Sequence, residues 1–176
     1  FYDQKTEELY VMAGIPLSLQ RPAMAHELFH GIQDQHFNIL GMQEPFSSIE
    51  NGDFALARSA LIEGDATIVM FDYALYEAGT LPQASATSVV DIPMVAGVLK
   101  SMSFDDMSAI EQMMGSQASA ISETSVADSA LAKAPAVFRE LLMFPYFAGM
   151  RFVVAARIGK PWTAVDAIYA NPPTST

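Results

Sequence analysis

Periodicity divides the chain into a short extended start and a long helical remainder. Residues 1–12, FYDQKTEELYVM, set aromatic and aliphatic side chains on either side of a polar centre from Asp3 to Glu8. This is the pattern of two short strands that fold as a hairpin or close a sheet. Gly14 and Pro16 punctuate it. Pro22 stands where a first helical turn accepts proline, and apolar residues at 24, 25, 28, 29, 32 and 39 then predict a helix from Ala23 to Leu40, stopped by Gly41. A second long helix is predicted from an Asp53 cap to about Ala78, dense in Ala, Leu, Ile and Met, with Gly79 as its stop. Thr80 to Val90 reads as loop. Asp91 with Pro93 opens a further helix and Phe104 to Met114 forms another. Gly115 to Ala134, rich in Ser and Ala with few large side chains, reads as a mobile surface insertion. Pro135 and Pro145 each open a helical run, the second ending near Gly159, and a short helix around Trp162 to Tyr169 closes before Asn171-Pro172-Pro173. There is no internal repeat. The pattern predicts an α+β, mainly α, fold with a small N-terminal β element.

Composition narrows the function classes. At 176 residues the chain fits one domain with a proper core, and 51% hydrophobic against 16% charged residues excludes a disordered acidic chain. Nine Lys+Arg against 20 Asp+Glu give a net charge of −11, which repels phosphate and excludes nucleic acid as the default partner. The most apolar stretch, Leu141 to Gly159, is interrupted by Pro145, Arg151 and Arg157, so it reads as a buried helix and not as a transmembrane segment. One of those arginines is expected to pair with a buried acid. No cysteine is present, so any metal must be held by His, Asp or Glu. The lack of cysteine does not separate cytoplasm from periplasm, and the compartment stays open.

All three histidines fall between positions 26 and 36, and His26-Glu27-Leu28-Phe29-His30 matches H-E-x-x-H inside a predicted helix. Side chains at i and i+4 stack on one helix face with Cβ atoms about 5–6 Å apart, so two imidazoles can converge on one ion. Glu27 lies roughly 100° round from His26, placed to reach a metal-bound water and not the metal itself. Such a site needs a third protein ligand and one open position. Four residues compete for it. His36 stands where a metzincin pattern has its third histidine, but the glycine needed at position 33 is Gln33, and on a continuing helix His36 points about 240° away from His30. Asp34 shares the ligand face as a solvated or outer acid. Glu63 and Asp65, in Leu61-Ile62-Glu63-Gly64-Asp65-Ala66-Thr67, are two acids in an apolar stretch, costly there unless paired or bound to a cation. The competing reading is a salt bridge from Arg58 to one of them. Gly64, Ala60 and Ala66 would let this helix approach the first. Tyr146, after Phe144-Pro145, is a candidate oxyanion donor near the metal, or else a core tyrosine with a satisfied hydroxyl.

HELFHGIQDQHF, ALIEGDAT, FPYFAGMRFV and AVDAIYANPPTST together resemble a family of bacterial zincin-like metallopeptidases, and FYDQKTEELYV is similar to the edge-strand segment before its active helix. The likeness runs in patches over nearly the whole chain. It implies a single zincin-like catalytic domain over residues 1–176, expected to continue at both ends. In gluzincin-type members the third ligand is a glutamate on the following helix, which here is Glu63. The resemblance implies Zn²⁺ on His26, His30 and Glu63, Glu27 as general base, and a peptide or protein substrate lying along the edge strand near Thr6 to Met12. The alternative is a zincin-like domain that binds or scaffolds without catalysis.

Overall fold

The computed structural model describes residues 1–14, 16–43, 52–81, 87–102, 106 and 134–176. Strands β1 (Tyr2–Asp3) and β2 (Glu8–Leu9) form an antiparallel pair in the register Tyr2↔Leu9 and Asp3↔Glu8. The expected hairpin is therefore present. Asp3 Oδ1 stabilises its turn by accepting the Lys5 N–H at 2.8 Å. The other elements are helical: α1 (Leu17–Phe37), α2 (Ile39–Gln43), α3 (Gly52–Glu77), a 3-10 turn (Val89–Asp91), α4 (Pro93–Ser101), α5 (Ala136–Arg157) and α6 (Thr163–Ala170). The predicted helix 104–114 and the insertion 115–134 lie almost wholly outside the described residues.

Three boundaries differ from the expectation, each for a local reason. Helix α1 starts six residues before Ala23, so Pro22 sits inside it. Its missing N–H leaves the Ser18 carbonyl without a helical partner, and Ser18 is exposed, so water can reach that carbonyl. The helix stops at Asn38, not Gly41: Asn38 takes a left-handed φ of 50° and returns its N–H to Asp34 O at 2.9 Å. Asp34 Oδ1 accepts the Leu40 N–H, so this acid serves the α1–α2 junction and stands apart from any ligand cluster. Pro145 lies inside α5 and does not begin a new helix. The carbonyl that loses its partner belongs to Leu141, an exposed residue that water can reach.

Among the described residues helices α3 and α5 form the most extensive contact, and α1 also packs on α3. Leu61, Ile62 and Ile68 of α3 meet Met150, Val153 and Val154 of α5 in the fully buried centre, with Val89, Leu99 and Val165 around them. Gly64 serves this contact, and not the approach to α1 that its position suggested. A Cβ at Gly64 would collide with the backbone of Gly149, and one at Gly149 with the Ala60 carbonyl. At the far end Arg157 reaches Asp91 at 3.0 Å, lies 5.1 Å from the Trp162 ring centre and also donates to Lys160 O. An arginine–acid pair is therefore present, but its acid, Asp91, is exposed and not buried as expected. Among the described residues no helix is long and apolar enough to cross a membrane.

Candidate metal centre

The α1–α3 contact decides what the histidines face. His26 and His30, one turn apart on α1, are both 7% exposed, and their rings meet edge to face with centroids 4.6 Å apart. Glu63 of α3 reaches in between them. His26 Nε2 lies 3.0 Å from His30 Nε2 and 3.1 Å from Glu63 Oε2, while His30 Nε2 lies 3.4 Å from the same oxygen. A tetrahedral ion with bonds of about 2.0–2.1 Å separates its ligand atoms by about 3.3–3.4 Å. The three donor atoms thus already sit near the edges of one coordination tetrahedron, and His26, His30 and Glu63 form a buried group that can hold a metal ion.

Electrostatics agrees with this geometry. Burial alone would raise the Glu63 carboxyl, but the hydrogen bonds and charge of His26 and His30 outweigh it and hold the group down to about 2. On His30 burial opposes the charged form, yet the Glu63 carboxylate overcomes it and raises the imidazole above its ordinary value. The two rings and the carboxylate thus attract one another as a buried imidazole–carboxylate group.

Two further predicted residues border the cluster. Tyr146 of α5 stacks on His26 with ring centres 5.9 Å apart and 27° between planes. Burial, together with the charges of Glu63 and Glu27, pushes its hydroxyl up to about 12. It is therefore a neutral O–H donor at ordinary pH. Glu27 lies on the neighbouring face of α1, and its charge is felt by both His30 and Tyr146. The hairpin fixes it: Glu27 Oε2 accepts the Tyr2 N–H at 2.9 Å, and the Tyr2 ring lies over Gly31.

The other candidates go elsewhere. His36 is exposed, with Nδ1 2.9 Å from Ile32 O. Arg58, the proposed salt-bridge partner of Glu63 or Asp65, donates to Met42 O and covers the Phe54 ring. Asp65 points away from the cluster, where Tyr169 donates to its Oδ2 at 2.8 Å; burial pushes its carboxyl up to about 6 against that bond and one from Gln33. The edge-strand expectation needs correcting at two residues. Both backbone groups of Tyr10 pair with Phe1, and both of Met12 with the Gln20 side chain, so neither is free to bind a substrate strand.

Sequence reading passed over Gln33. It is fully buried, with Oε1 2.7 Å from His30 Nδ1, and Nε2 2.7 Å from Tyr169 Oη, 3.0 Å from Ile62 O and 3.3 Å from Asp65 Oδ2. The available signal was its i+3 position from His30, on the ligand side of α1. Comparison with known proteins finds no matching family profile, no matching curated protein and no matching solved structure.

Proposed function

We propose that the protein is a zinc-dependent metallopeptidase, with His26, His30 and Glu63 as ligands. The observation that carries this reading is the convergence of three donor atoms from an H-E-x-x-H helix and its neighbour, beside Glu27 and Tyr146. The donor set, two imidazoles and one carboxylate with one position left over, is that of a catalytic zinc site. When bound, zinc supplies Lewis acidity, which acidifies a water and polarises a carbonyl. Glu27, held off the ligand face, accepts the proton of the attacking water and returns it to the leaving amine. Tyr146, kept protonated, donates to the oxygen on which charge develops. The stacked ring of Tyr146 also limits the freedom of His26.

A second reading has its own support. Glu27 Oε2 already accepts the Tyr2 N–H, a contact that suits a carboxylate tying the hairpin to α1 in a metal-binding domain without turnover. Two measurements separate them. Protein purified without added metal should contain close to one zinc per chain, and should cleave an unstructured polypeptide in a manner stopped by chelation and restored by zinc. Zinc without cleavage selects the second reading, and absence of zinc removes both.

A further inference from the structure

We infer that Gln33 is a positioning residue that fixes the tautomer of His30 and so presents its Nε2 as a ready donor. The inference rests on the metal-site reading for its purpose, but its first step concerns the protein's own hydrogen bonds. Ile62 O and Asp65 Oδ2 face one end of the Gln33 amide, at 3.0 and 3.3 Å. A main-chain carbonyl can only accept, so that end must be the NH₂ group. The opposite end, 2.7 Å from His30 Nδ1, is then the amide oxygen, which also only accepts. Hence His30 Nδ1 carries a proton. A neutral ring protonated at Nδ1 has a bare lone pair at Nε2, the nitrogen that points to His26 and Glu63.

The amide cannot turn over without cost. Its NH₂ has acceptors from two other helices: Ile62 O in α3 and Tyr169 Oη in α6, the latter at 2.7 Å. Tyr169 is oriented in turn, because its O–H goes to Asp65 Oδ2. Reversing Gln33 would face its oxygen to Ile62 O and its NH₂ to His30, breaking the buried chain of hydrogen bonds from His30 through Gln33 and Tyr169 to Asp65 Oδ2. The chain carries the orientation of α6, more than a hundred residues away in sequence, to one ligand atom. His26 has no counterpart: its Nδ1 is buried without a hydrogen-bond partner among the described residues. The protein thus presets one imidazole and leaves the other to respond to the ion.

The test uses zinc-free, ¹⁵N-histidine-labelled protein and long-range ¹H–¹⁵N spectra at a pH where the rings are neutral. His30 should show the Nδ1–H pattern in the wild type; an Nε2–H pattern would overturn the proposal without any variant. In Gln33→Leu the His30 pattern should move toward Nε2–H while His26 keeps its own, and zinc affinity should fall by about 10–100-fold. Unchanged tautomer and unchanged zinc affinity in a folded Gln33→Leu would also overturn it. A wild type that shows Nδ1–H on His30 yet takes up no zinc would refute the metal-site reading and leave the role of Gln33 in ring orientation standing.

Discussion

The duties proposed for neighbouring side chains at the cluster are separable, and substitutions should separate them. On the proposed function Glu27 stands one residue from a ligand but shares no atom with the donor triangle, so Glu27→Gln is expected to keep fold and zinc while hydrolysis falls to background. Loss of zinc from that variant, measured by elemental analysis, would make Glu27 a ligand and overturn its role as base. His26→Ala and Glu63→Ala should each release the ion, since each removes one of three converging atoms. Tyr146→Phe keeps the ring on His26 and removes only the O–H. Zinc content should be unchanged and turnover of a peptide substrate should drop about 10²-fold or more. Equal turnover would reduce Tyr146 to a packing residue.

Helices supply the placement that makes those duties possible, and here sequence and structure can be compared element by element. The histidine pair was legible because i and i+4 geometry is local: any helix through His26 and His30 aligns them. The hairpin was legible because its apolar residues flank a polar turn. What joined Glu63 to the pair was not local. It depends on how α3 packs on both α1 and α5, and the small residues at 60 and 64 were assigned to the wrong neighbour because periodicity shows that a face is narrow but not what it packs on. Gln33 was missed for the same reason, its partners lying in α3 and α6. The prolines misled in a different way. Pro22 and Pro145 looked like starts, but a helix held by tertiary packing tolerates the loss of one bond at a solvated carbonyl. The glycine contact gives a direct test. Gly64→Ala or Gly149→Ala puts a methyl group into the opposing backbone and should cost about 3 kcal/mol or more, with loss of zinc as the α3–α5 spacing opens. Gly97→Ala, in α4 with open space around it, should be neutral or stabilising by up to about 1 kcal/mol when all three variants are unfolded in urea. Equal effects at all three sites would mean that the close crossing does not set the distance between the helices.

At the scale of the whole molecule, a surplus of acid makes buried carboxylates the points where folding senses pH. Asp72 is the clearest case away from the metal cluster. It links α3 to the 3-10 turn: its Oδ1 accepts the Val89 N–H at 2.7 Å and the Ser88 hydroxyl at 3.0 Å. Burial is the main influence on it and the Asp91 charge adds to it. The two hydrogen bonds and the more distant Arg157 offset them only partly, so the carboxyl is pushed up to about 6 from an ordinary 3.8. The sign follows from proton counts. Between those two values the folded chain holds a proton on Asp72 that the unfolded chain has given up, so raising the pH favours unfolding. The contribution is fully present below about 3.8, is lost as pH rises through about 6, and is flat above that. A rise of that size is worth at most about 3 kcal/mol. Asp72→Asn isolates this effect, because its amide oxygen can still accept from both Val89 and Ser88 while the charge is gone. The stability of the variant minus that of the wild type, from urea unfolding at matched pH, should therefore grow between about pH 4 and 6.5 and then level off. Opposing contributions from other acids, including the depressed carboxyl of Glu63, cancel in that difference as long as the variant leaves them in place. Parallel stability curves across the range would show that Asp72 is ionised in the fold from the start, with Arg157 close enough to compensate its burial.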